Sequence, residues 1–586
     1  MNIRLTEEQK QVILNLVKKT IELKSKGVKP IVIAFKAPGG FGKTICALTY
    51  AVLLRRYFSS LGREAKFIFI TRTRTQLRIY VYNFYKMFHD VLSVRLNKNE
   101  ICRKLINFEY LEECIKCPYF RNYAPYKLLE SVREYLLNKV FPKGIFDPYA
   151  IIDDIVKLFN ICPYHTFGKF SENFIVCTFP YLIHKNFRDL LFISYNLGRE
   201  DIVKTCVIDE AHNLDELYLE TGFEISSNVL NKIIQDEKNS KLSKDIKQLF
   251  QLDKNVEEGV IIKVDENKLV EVYAQVEQKI QPFLEDQNIE KLRERSHYIV
   301  LYVFSKALLE YELGKKLGDE VVLVKTSDGF AIRKITYMYM FEDIFQTWDI
   351  VLLMSATLQP RWYMEKVWKI PSENLVYIEV TTEFAKPKIF IDPSVTTKFE
   401  DRSEEMWIEY AKKIEKIYKI ATNSVLVVFP SYEILHNILK HLNIGKEYLI
   451  IEDRNTIFEN VINQLVNNKK VILAVAGGRF VEGVEYVKEG KQLISDVVIV
   501  GVPYPKKTQY MTILLKNITK VSDVNPFDVL KVWALMKVEQ ALRRSTRYIT
   551  KDFESRWWLL DKRYVDLIHE LIPVEKLRKR EKKVSF

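Results

Sequence analysis

The sequence predicts an α/β protein built on parallel β-sheets, from two observations. Continuous apolar runs alternate with helical patterns along the chain, and a glycine-rich loop follows the first run. Runs without polar alternation are typical of strands that are buried on both faces of a parallel sheet. The predicted strands are residues 31–35, 66–70, 174–177, 205–208, 350–354, 425–429, 471–475 and 497–502.

The first element is a helix near the N-terminus. Thr6 and Gln9 have the spacing of a capping box, in which each side chain bonds the backbone N–H of the other residue. Val12, Leu16 and Leu23 then fall on one helical face before Gly27. The helix therefore precedes the first strand.

The glycine-rich loop reads Ala-Pro-Gly-Gly-Phe-Gly-Lys-Thr over residues 37–44, between a strand and a helix-compatible stretch. This context predicts a nucleotide P-loop. Backbone N–H groups at the helix N-terminus would bind phosphate, Lys43 would reach the β- and γ-phosphates, and Thr44 would bind Mg²⁺. The glycines that would shape the loop are Gly39, Gly40 and Gly42.

An acidic segment, Asp-Glu-Ala-His over residues 209–212, directly follows another predicted strand. Its position places both carboxylates at the carboxyl edge of the sheet, beside the P-loop. There Asp209 can hold Mg²⁺ and Glu210 can orient an attacking water. Together the two segments predict hydrolysis of a nucleoside triphosphate.

Composition sets the class and suggests a partner. The chain has 586 residues, 48% hydrophobic and 28% charged, which is ordinary for a globular protein with several domains. The polar N-terminus and the lack of long apolar runs predict no signal peptide, no membrane partner and a cytoplasmic location. The net charge of +13 favours a polyanionic partner.

The seven cysteines divide into two groups. Cys46, Cys177 and Cys206 lie in predicted helix or strand and are expected to be small buried hydrophobes. The other four lie in an insertion between the P-loop and the acidic segment: Cys102, Cys114, Cys117 and Cys162. From spacing alone, four thiolates suit an iron–sulfur cluster and a zinc ion equally.

Several further segments resemble the motifs of superfamily 2 helicases, and specifically the XPD/DinG group of iron–sulfur DNA helicases. Thr-Arg-Thr-Arg-Thr-Gln at residues 71–76 resembles motif Ia, and Ser-Ala-Thr at 355–357 resembles motif III. Segments 428–432, 478–483 and 540–547 are similar to motifs IV, V and VI. Local signatures of the group recur at 179–182, 501–504 and 560–563, so the likeness runs in order along nearly the whole chain.

The resemblance implies two RecA-like domains, with an iron–sulfur insertion and a mainly helical arch insertion in the first. The expected division is 1–95, 171–215 and 346–392 (the last with a linker) for the first domain and 393–586 for the second. Residues 96–170 form the cluster insertion and residues 216–345 the arch.

The resemblance also assigns roles to residues. ATP would lie between the domains, facing Lys43, Asp209 and Glu210 of the first. From the second domain it would face the motif VI residues Gln540, Arg544 and Arg547. His212 would couple the nucleotide site to motif III. The four-cysteine set would hold a [4Fe-4S] cluster. The implied DNA contacts are Thr71, Arg72, Ser431, Tyr432 and Arg479. Separately, Arg103 lies among basic and aromatic residues of the cluster insertion, a mixture that suits DNA binding and core packing equally. Gln9 is either a helix cap or an adenine contact.

One motif departs from the group. In the motif Gln-x-x-Gly-Arg-x-x-Arg, the usual Gly is Arg543 here, next to Arg544. The turn beside the arginine pair could therefore differ from the group's. Because Gly is the usual residue, Arg543→Gly is expected to be tolerated.

The implied activity is that of an ATP-dependent 5′→3′ DNA helicase, acting as a monomer on single-stranded and forked DNA with repair proteins as partners. The alternative is a DNA-dependent ATPase that clamps DNA for partner proteins without unwinding it. An RNA helicase would suit the acidic segment but not the four-cysteine insertion.

Overall fold

The computed structural model describes residues 4–96, 126–285, 296–315, 321–380, 387–453, 456–546 and 553–571. Two parallel sheets and one four-stranded antiparallel sheet organise these residues. The predicted α/β class, with two parallel-sheet domains, is therefore confirmed.

The first sheet has seven strands in the order β11-β1-β10-β5-β2-β4-β3, and all its pairings are parallel. Every sequence-predicted strand in this half of the chain is present. The strands are β1 (Ile31–Lys36), β2 (Glu64–Thr71), β3 (Ser93–Val94), β4 (Phe174–Thr178), β5 (Ile202–Asp209), β10 (Ile350–Ser355) and β11 (Leu375–Glu379).

Helices cover both faces of this sheet, because its central strands carry apolar side chains on both sides. The predicted N-terminal helix has the predicted capping box of Thr6 and Gln9. The helices of the first domain are α1 (Glu7–Ser25), α2 (Lys43–Ser60), α3 (Arg74–Phe88), α7 (Pro180–Ile183), α8 (Lys185–Ser194), α9 (Leu214–Leu219) and α14 (Arg361–Lys366).

The described part of the cluster insertion packs on the first domain and has no separate core. Val132, Ile155 and Phe167 belong to the same apolar cluster as the strand residues Ile33 and Phe69. Its helices are α4 (Tyr126–Tyr135), α5 (Ile152–Phe159) and α6 (Pro163–Phe167). Cys102, Cys114, Cys117 and Arg103 lie outside the described residues.

The arch insertion has its own apolar core and contains a sheet that the sequence did not predict. Among the described residues of the insertion, four antiparallel strands in the order β6-β9-β8-β7 pack with four helices. The strands are β6 (Glu220–Ser226), β7 (Ile261–Ile262), β8 (Val321–Lys325) and β9 (Gly329–Lys334). The helices are α10 (Ser227–Asp236), α11 (Lys241–Leu249), α12 (Glu266–Glu285) and α13 (Ser296–Lys315).

The second parallel sheet has six strands in the order β12-β19-β18-β13-β15-β14. Because β12 pairs with β19, this sheet begins at Lys388, slightly before the predicted domain start at residue 393. The strands are β12 (Lys388–Asp392), β13 (Ser424–Phe429), β14 (Leu449–Ile451), β15 (Val471–Val475), β18 (Ile494–Val500) and β19 (Arg556–Leu560), with β16 (Val487–Lys488) and β17 (Lys491–Gln492) forming a separate pair. The helices are α15 (Glu404–Ile420), α16 (Tyr432–Leu439), α17 (Phe458–Asn467), α18 (Gln509–Ser522), α19 (Pro526–Leu542) and α20 (Tyr564–Leu571).

Two helices that follow β18 leave the second domain and pack on the first. Leu514 and Ile518 of α18 and Val529 of α19 lie in the apolar cluster on one face of the first sheet. Farther along α19, Val538 and Ala541 lie in the core of the second domain. α18 and the start of α19 thus contribute to the apolar core of the first domain, and the division at residue 393 stays a prediction.

In the part of the chain that the structure describes, no helix is both long and apolar enough to cross a membrane.

Candidate nucleotide site in the interdomain cleft

The P-loop joins β1 to α2, and the backbone requires two of its glycines. Gly40 and Gly42 have φ values of 81° and 85°, in the left-handed region that disfavours other residues. A Cβ atom on Gly42 would also lie 2.7 Å from Nε2 of Gln9. The loop then enters α2 at Lys43, whose Nζ donates to the carbonyl oxygens of Ala37 (3.1 Å) and Pro38 (3.3 Å).

Gln9 has two roles at once. Its Oε1 accepts the N–H of Thr6 at 2.9 Å, as the predicted cap requires. Its Nε2 donates to the carbonyl oxygen of Phe41, inside the P-loop, at 2.7 Å. The cap therefore also fixes the position of the P-loop relative to α1.

The acidic pair lies at the end of β5, on the same edge of the sheet as the P-loop. Burial, and then the charge of Glu210, raise the pKa of Asp209 above its ordinary value, while Lys43 acts in the opposite direction. A carboxylate in this position favours a bound cation, because positive charge offsets both effects. The site thus fits a nucleoside triphosphate with Mg²⁺. The phosphates would be bound by the P-loop N–H groups and Lys43, and the metal ion by Thr44 and Asp209.

His212 connects the acidic segment to motif III. Its Nδ1 lies 2.7 Å from Oγ of Ser355, at the end of β10, and 3.3 Å from Oε2 of Glu210. The Ser355 hydroxyl lies 3.3 Å from the same Glu210 oxygen. The predicted contact between His212 and motif III is therefore present.

The second domain forms the opposite wall of the cleft. Gln540, Arg543 and Arg544, at the end of α19, line a cavity of about 280 Å³ together with Gly39 and Glu210. Arg544 is only 7% exposed, and its Nη1 donates to the carbonyl oxygen of Val484 at 2.6 Å. Arg547 lies outside the described residues.

Motif V forms another part of this wall and depends on Glu452, which sequence reasoning missed. The Glu452 carboxylate accepts the N–H groups of Val475 (2.9 Å) and Phe480 (3.3 Å). A Cβ on Gly478 would lie 2.4 Å from this carboxylate, so the glycine permits the approach. The glycine-rich motif was a visible signal, but its distant carboxylate partner was not.

The predicted DNA contacts are dispersed, and two have structural roles. Thr71 is fully buried and its hydroxyl donates to the carbonyl oxygen of Cys177 at 3.4 Å, which differs from the predicted phosphate contact. Ser431 is the N-cap of α16 and accepts the N–H of Ile434. Tyr432 is 47% exposed, and Arg479 lines the nucleotide cavity.

Arg72 bridges the two domains. Its Nη1 donates to Oδ1 of Asn213 at 2.7 Å and to Oε2 of Glu482, in motif V, at 2.6 Å. Residue 72 precedes α3, which starts with a second capping box formed by Thr73 and Gln76. The predicted DNA-binding arginine is therefore ion-paired across the cleft.

The cysteines follow the predicted division where the structure describes them. Cys46, Cys177 and Cys206 are buried, and burial raises the pKa of the Cys46 thiol to about 12. Cys162 is half-buried and caps α6. Among the described residues no group of three or more His, Cys, Asp or Glu residues is positioned to hold a metal ion.

A buried polar network around Asp215 was also missed. Asp215 accepts hydrogen bonds from Trp368 Nε1 (2.7 Å), Gln359 Nε2 (2.7 Å) and Tyr363 OH (3.0 Å). Gln359 also donates to the carbonyl oxygen of His212 at 3.0 Å, and Trp533 of α19 donates to Tyr363 OH at 2.8 Å. The network thus links the acidic segment to the helix that carries Gln540 and Arg543.

Comparisons with known proteins give consistent results. A Helicase C-terminal domain model matches residues 414–573, and a DEAD_2 model matches residues 85–230. The chain is 28% identical over 557 residues to the ATP-dependent DNA helicase XPD of Sulfolobus acidocaldarius, covering 91% of this chain and 93% of that protein. It is 24% identical to the ATP-dependent DNA helicase CHL1 of Candida albicans, covering 70% of this chain and 59% of that protein.

Solved structures show the same fold over most of the chain. An XPD helicase structure matches with a TM-score of 0.72 and 24% identity, covering 97% of each chain. An XPD structure in its APO form matches with a TM-score of 0.64 and 25% identity, covering 94% of this chain and 97% of that one.

The protein is an ATP-dependent helicase of superfamily 2. Its two parallel-sheet domains face each other across the P-loop cleft, and two helicase family models match the chain. Within that class the likeness to XPD extends over nearly the whole chain in sequence and in fold. In sequence and in fold the chain is therefore similar to the XPD-like helicases of superfamily 2.

Proposed function

We propose that this protein hydrolyses ATP in the interdomain cleft to move 5′→3′ along single-stranded DNA and to separate forked duplexes, in DNA repair. The observation that carries the proposal is the cleft itself. The P-loop and the acidic pair stand on one wall, and Gln540, Arg543 and Arg544 stand on the other. ATP bound between such walls couples hydrolysis to the relative movement of two domains.

Each wall has a defined part in hydrolysis. The P-loop N–H groups and Lys43 bind the phosphates, and Thr44 and Asp209 would hold Mg²⁺, which neutralises phosphate charge. Glu210 orients the attacking water, and His212 and Ser355 fix its carboxylate. Arg544 and Arg547 stabilise the charge that develops on the γ-phosphate.

DNA as the substrate is supported by the net charge of +13 and by relatives that are named DNA helicases. Among the predicted DNA contacts that the structure describes, Arg72, Arg479 and Tyr432 have exposed or cleft-lining side chains suited to phosphates and bases. Because Arg72 is paired with Glu482, a phosphate would have to replace that carboxylate.

A [4Fe-4S] cluster on Cys102, Cys114, Cys117 and Cys162 remains a prediction from the sequence resemblance. Such a cluster would tie together the two ends of the insertion and contribute folding free energy to it. Action as a monomer in the cytoplasm, with repair proteins as partners, likewise remains a prediction.

The test is ATP hydrolysis and strand displacement by the purified protein. Single-stranded DNA should stimulate hydrolysis, and Lys43→Ala or Glu210→Gln should reduce the rate at least about 10³-fold, because each removes a group that acts on the γ-phosphate or on water. Wild-type turnover in both variants would contradict the site.

Strand displacement distinguishes the helicase from the alternative. The wild type should displace a strand from a 5′-tailed duplex and not from a 3′-tailed one. DNA-stimulated hydrolysis without displacement on either substrate would favour a clamp that does not unwind DNA.

A further inference from the structure

The backbone at Arg543 does not require the glycine that is usual in motif VI. Arg543 has φ −68° and ψ −4°, in the right-handed helical region that any L-residue adopts. α19 simply continues through it into one turn of 3₁₀ helix. A side chain at this position therefore does not strain the turn. Any difference between Arg543 and the usual glycine must come from the guanidinium group.

That guanidinium group is in the nucleotide cleft. Arg543 lines the same cavity as Gly39 of the P-loop, Glu210 and Thr357. Its Nε donates to Oε1 of Glu539 at 3.0 Å, and its Nη2 donates to the same oxygen. One carboxylate oxygen thus receives two of the five N–H donors of the guanidinium group.

Glu539 has a second cationic partner, on the first domain. Its Oε1 lies 3.7 Å from Nζ of Lys36, the last residue of β1, directly before the P-loop. Burial disfavours the charged form of Glu539, but Arg543 and Lys36 outweigh it and lower its pKa. Glu539 would therefore keep a cation across the cleft if Arg543 changed partners.

Arg544 is held differently. It is 7% exposed, and it donates to the carbonyl oxygen of Val484 in its own domain, while its own carbonyl oxygen accepts Gln492 Nε2 at 2.7 Å. The Arg543 side chain is 29% exposed and is held by one side-chain carboxylate. Of these two neighbouring arginines, Arg543 has the partner that an anion can replace at lower cost.

We propose that Arg543 is an additional ATP-binding residue of this cleft, which exchanges Glu539 for a phosphate oxygen when ATP binds. Glu539 then remains paired with Lys36 and keeps the two walls in contact. The proposal rests on the proposed ATP site and extends it. It also reverses the expectation that Arg543→Gly is tolerated.

The test is a double-mutant cycle on ATP affinity. The variants are Arg543→Ala, Glu539→Gln and the double variant, and the control is Arg361→Ala, which removes another helical Arg–Glu pair outside the cleft. Affinity is measured at equilibrium, with Mg²⁺ present, by competition of ATP against a fluorescent ATP analogue. This measurement needs no turnover, so it tests the role of Arg543 even if the wild type hydrolyses no ATP. A wild type without ATP hydrolysis would contradict the proposed function and not the role of Arg543 in ATP binding.

Arg543→Ala should weaken ATP binding about tenfold or more, as expected for loss of a charged hydrogen bond. Glu539→Gln should tighten it about threefold with Arg543 present, because the competing carboxylate charge is gone, and should have no such effect with Ala at position 543. Arg361→Ala should bind ATP as the wild type does. Wild-type affinity in Arg543→Ala, or an equal effect of Glu539→Gln in both backgrounds, would overturn the proposal.

Discussion

Among the described residues, two of the contacts between the RecA-like domains are of opposite character. At one, α18 and the start of α19 insert Leu514, Ile518 and Val529 into the core of the first domain, where each is at most 3% exposed. At the other, the walls of the cleft meet through partly exposed ion pairs, Arg72 with Glu482 and Lys36 with Glu539.

This difference indicates which contact can change during an ATP cycle. Buried apolar surfaces fit closely together, and separating them is unfavourable in free energy. A partly exposed ion pair contributes little net free energy, and phosphates can replace its carboxylate. We therefore expect the apolar contact to persist and the ion-paired contacts to exchange when nucleotide and DNA bind.

The largest expected effect comes from breaking the apolar contact. Val529→Asp places a carboxylate in a buried apolar cluster, so the free energy of unfolding should fall by about 3–5 kcal/mol. Urea denaturation followed by circular dichroism measures this. The matched control is Val565→Asp, since Val565 is 45% exposed near the start of α20. If both variants were equally stable, α18 and α19 would not be part of the first domain's core.

The fold was predictable where its signal is local. Strands such as β10 and β13 are continuous apolar runs, because parallel strands are buried on both faces. β11, β12, β14, β19 and the arch sheet were missed, and among them β12 and β19 carry charged residues at their ends. The packing of α18 on the first domain depends on which face of the first sheet the other helices leave uncovered. That arrangement involves elements far apart in the chain, so no local pattern predicts it.

The candidate site divides in the same way. The P-loop and the acidic pair are contiguous motifs that each follow a predicted strand, so their positions at one edge of a parallel sheet could be predicted. Glu482 and Glu539 act through partners on the other domain, and no local spacing predicts such pairs. Thr71 was assigned to DNA from its motif, but its position at the end of a buried strand places its hydroxyl in the interior.

A second, smaller effect concerns the polar network beside the apolar contact. Burial is the main reason that the pKa of Asp215 is raised, to about 6 from 3.8 in the unfolded chain. A carboxyl group whose pKa is higher in the folded state stabilises the fold most below about pH 4, and that stabilisation is lost as the pH rises towards 6. The loss is at most about 3 kcal/mol.

Asp215→Asn removes this titration while keeping an oxygen that can accept from Trp368 and Tyr363. The measurement is the midpoint of thermal unfolding of both proteins between pH 4 and pH 7. Relative to Asp215→Asn, the wild type should lose stability across this interval. Parallel curves for the two proteins would show that Asp215 does not titrate there.

The smallest effect on stability is expected at the ion-paired contact. Glu482→Gln removes the charge that pairs with Arg72 across the cleft, where the two side chains are 20% and 34% exposed. The free energy of unfolding should change by less than about 1 kcal/mol. Affinity for single-stranded DNA should nevertheless rise, because Arg72 then lacks the carboxylate that it pairs with across the cleft.

Measuring Glu482→Gln both in the wild type and in Arg72→Ala shows whether its effect on DNA affinity acts through Arg72. Fluorescence anisotropy with a labelled single-stranded oligonucleotide at low salt should show about threefold tighter binding by Glu482→Gln and weaker binding by Arg72→Ala. With Ala at position 72, Glu482→Gln should change affinity much less, because the charge that it would release is absent. If Glu482→Gln instead destabilised the protein as strongly as Val529→Asp, both contacts would hold the domains together equally. The distinction between a permanent contact and an exchangeable one would then be wrong.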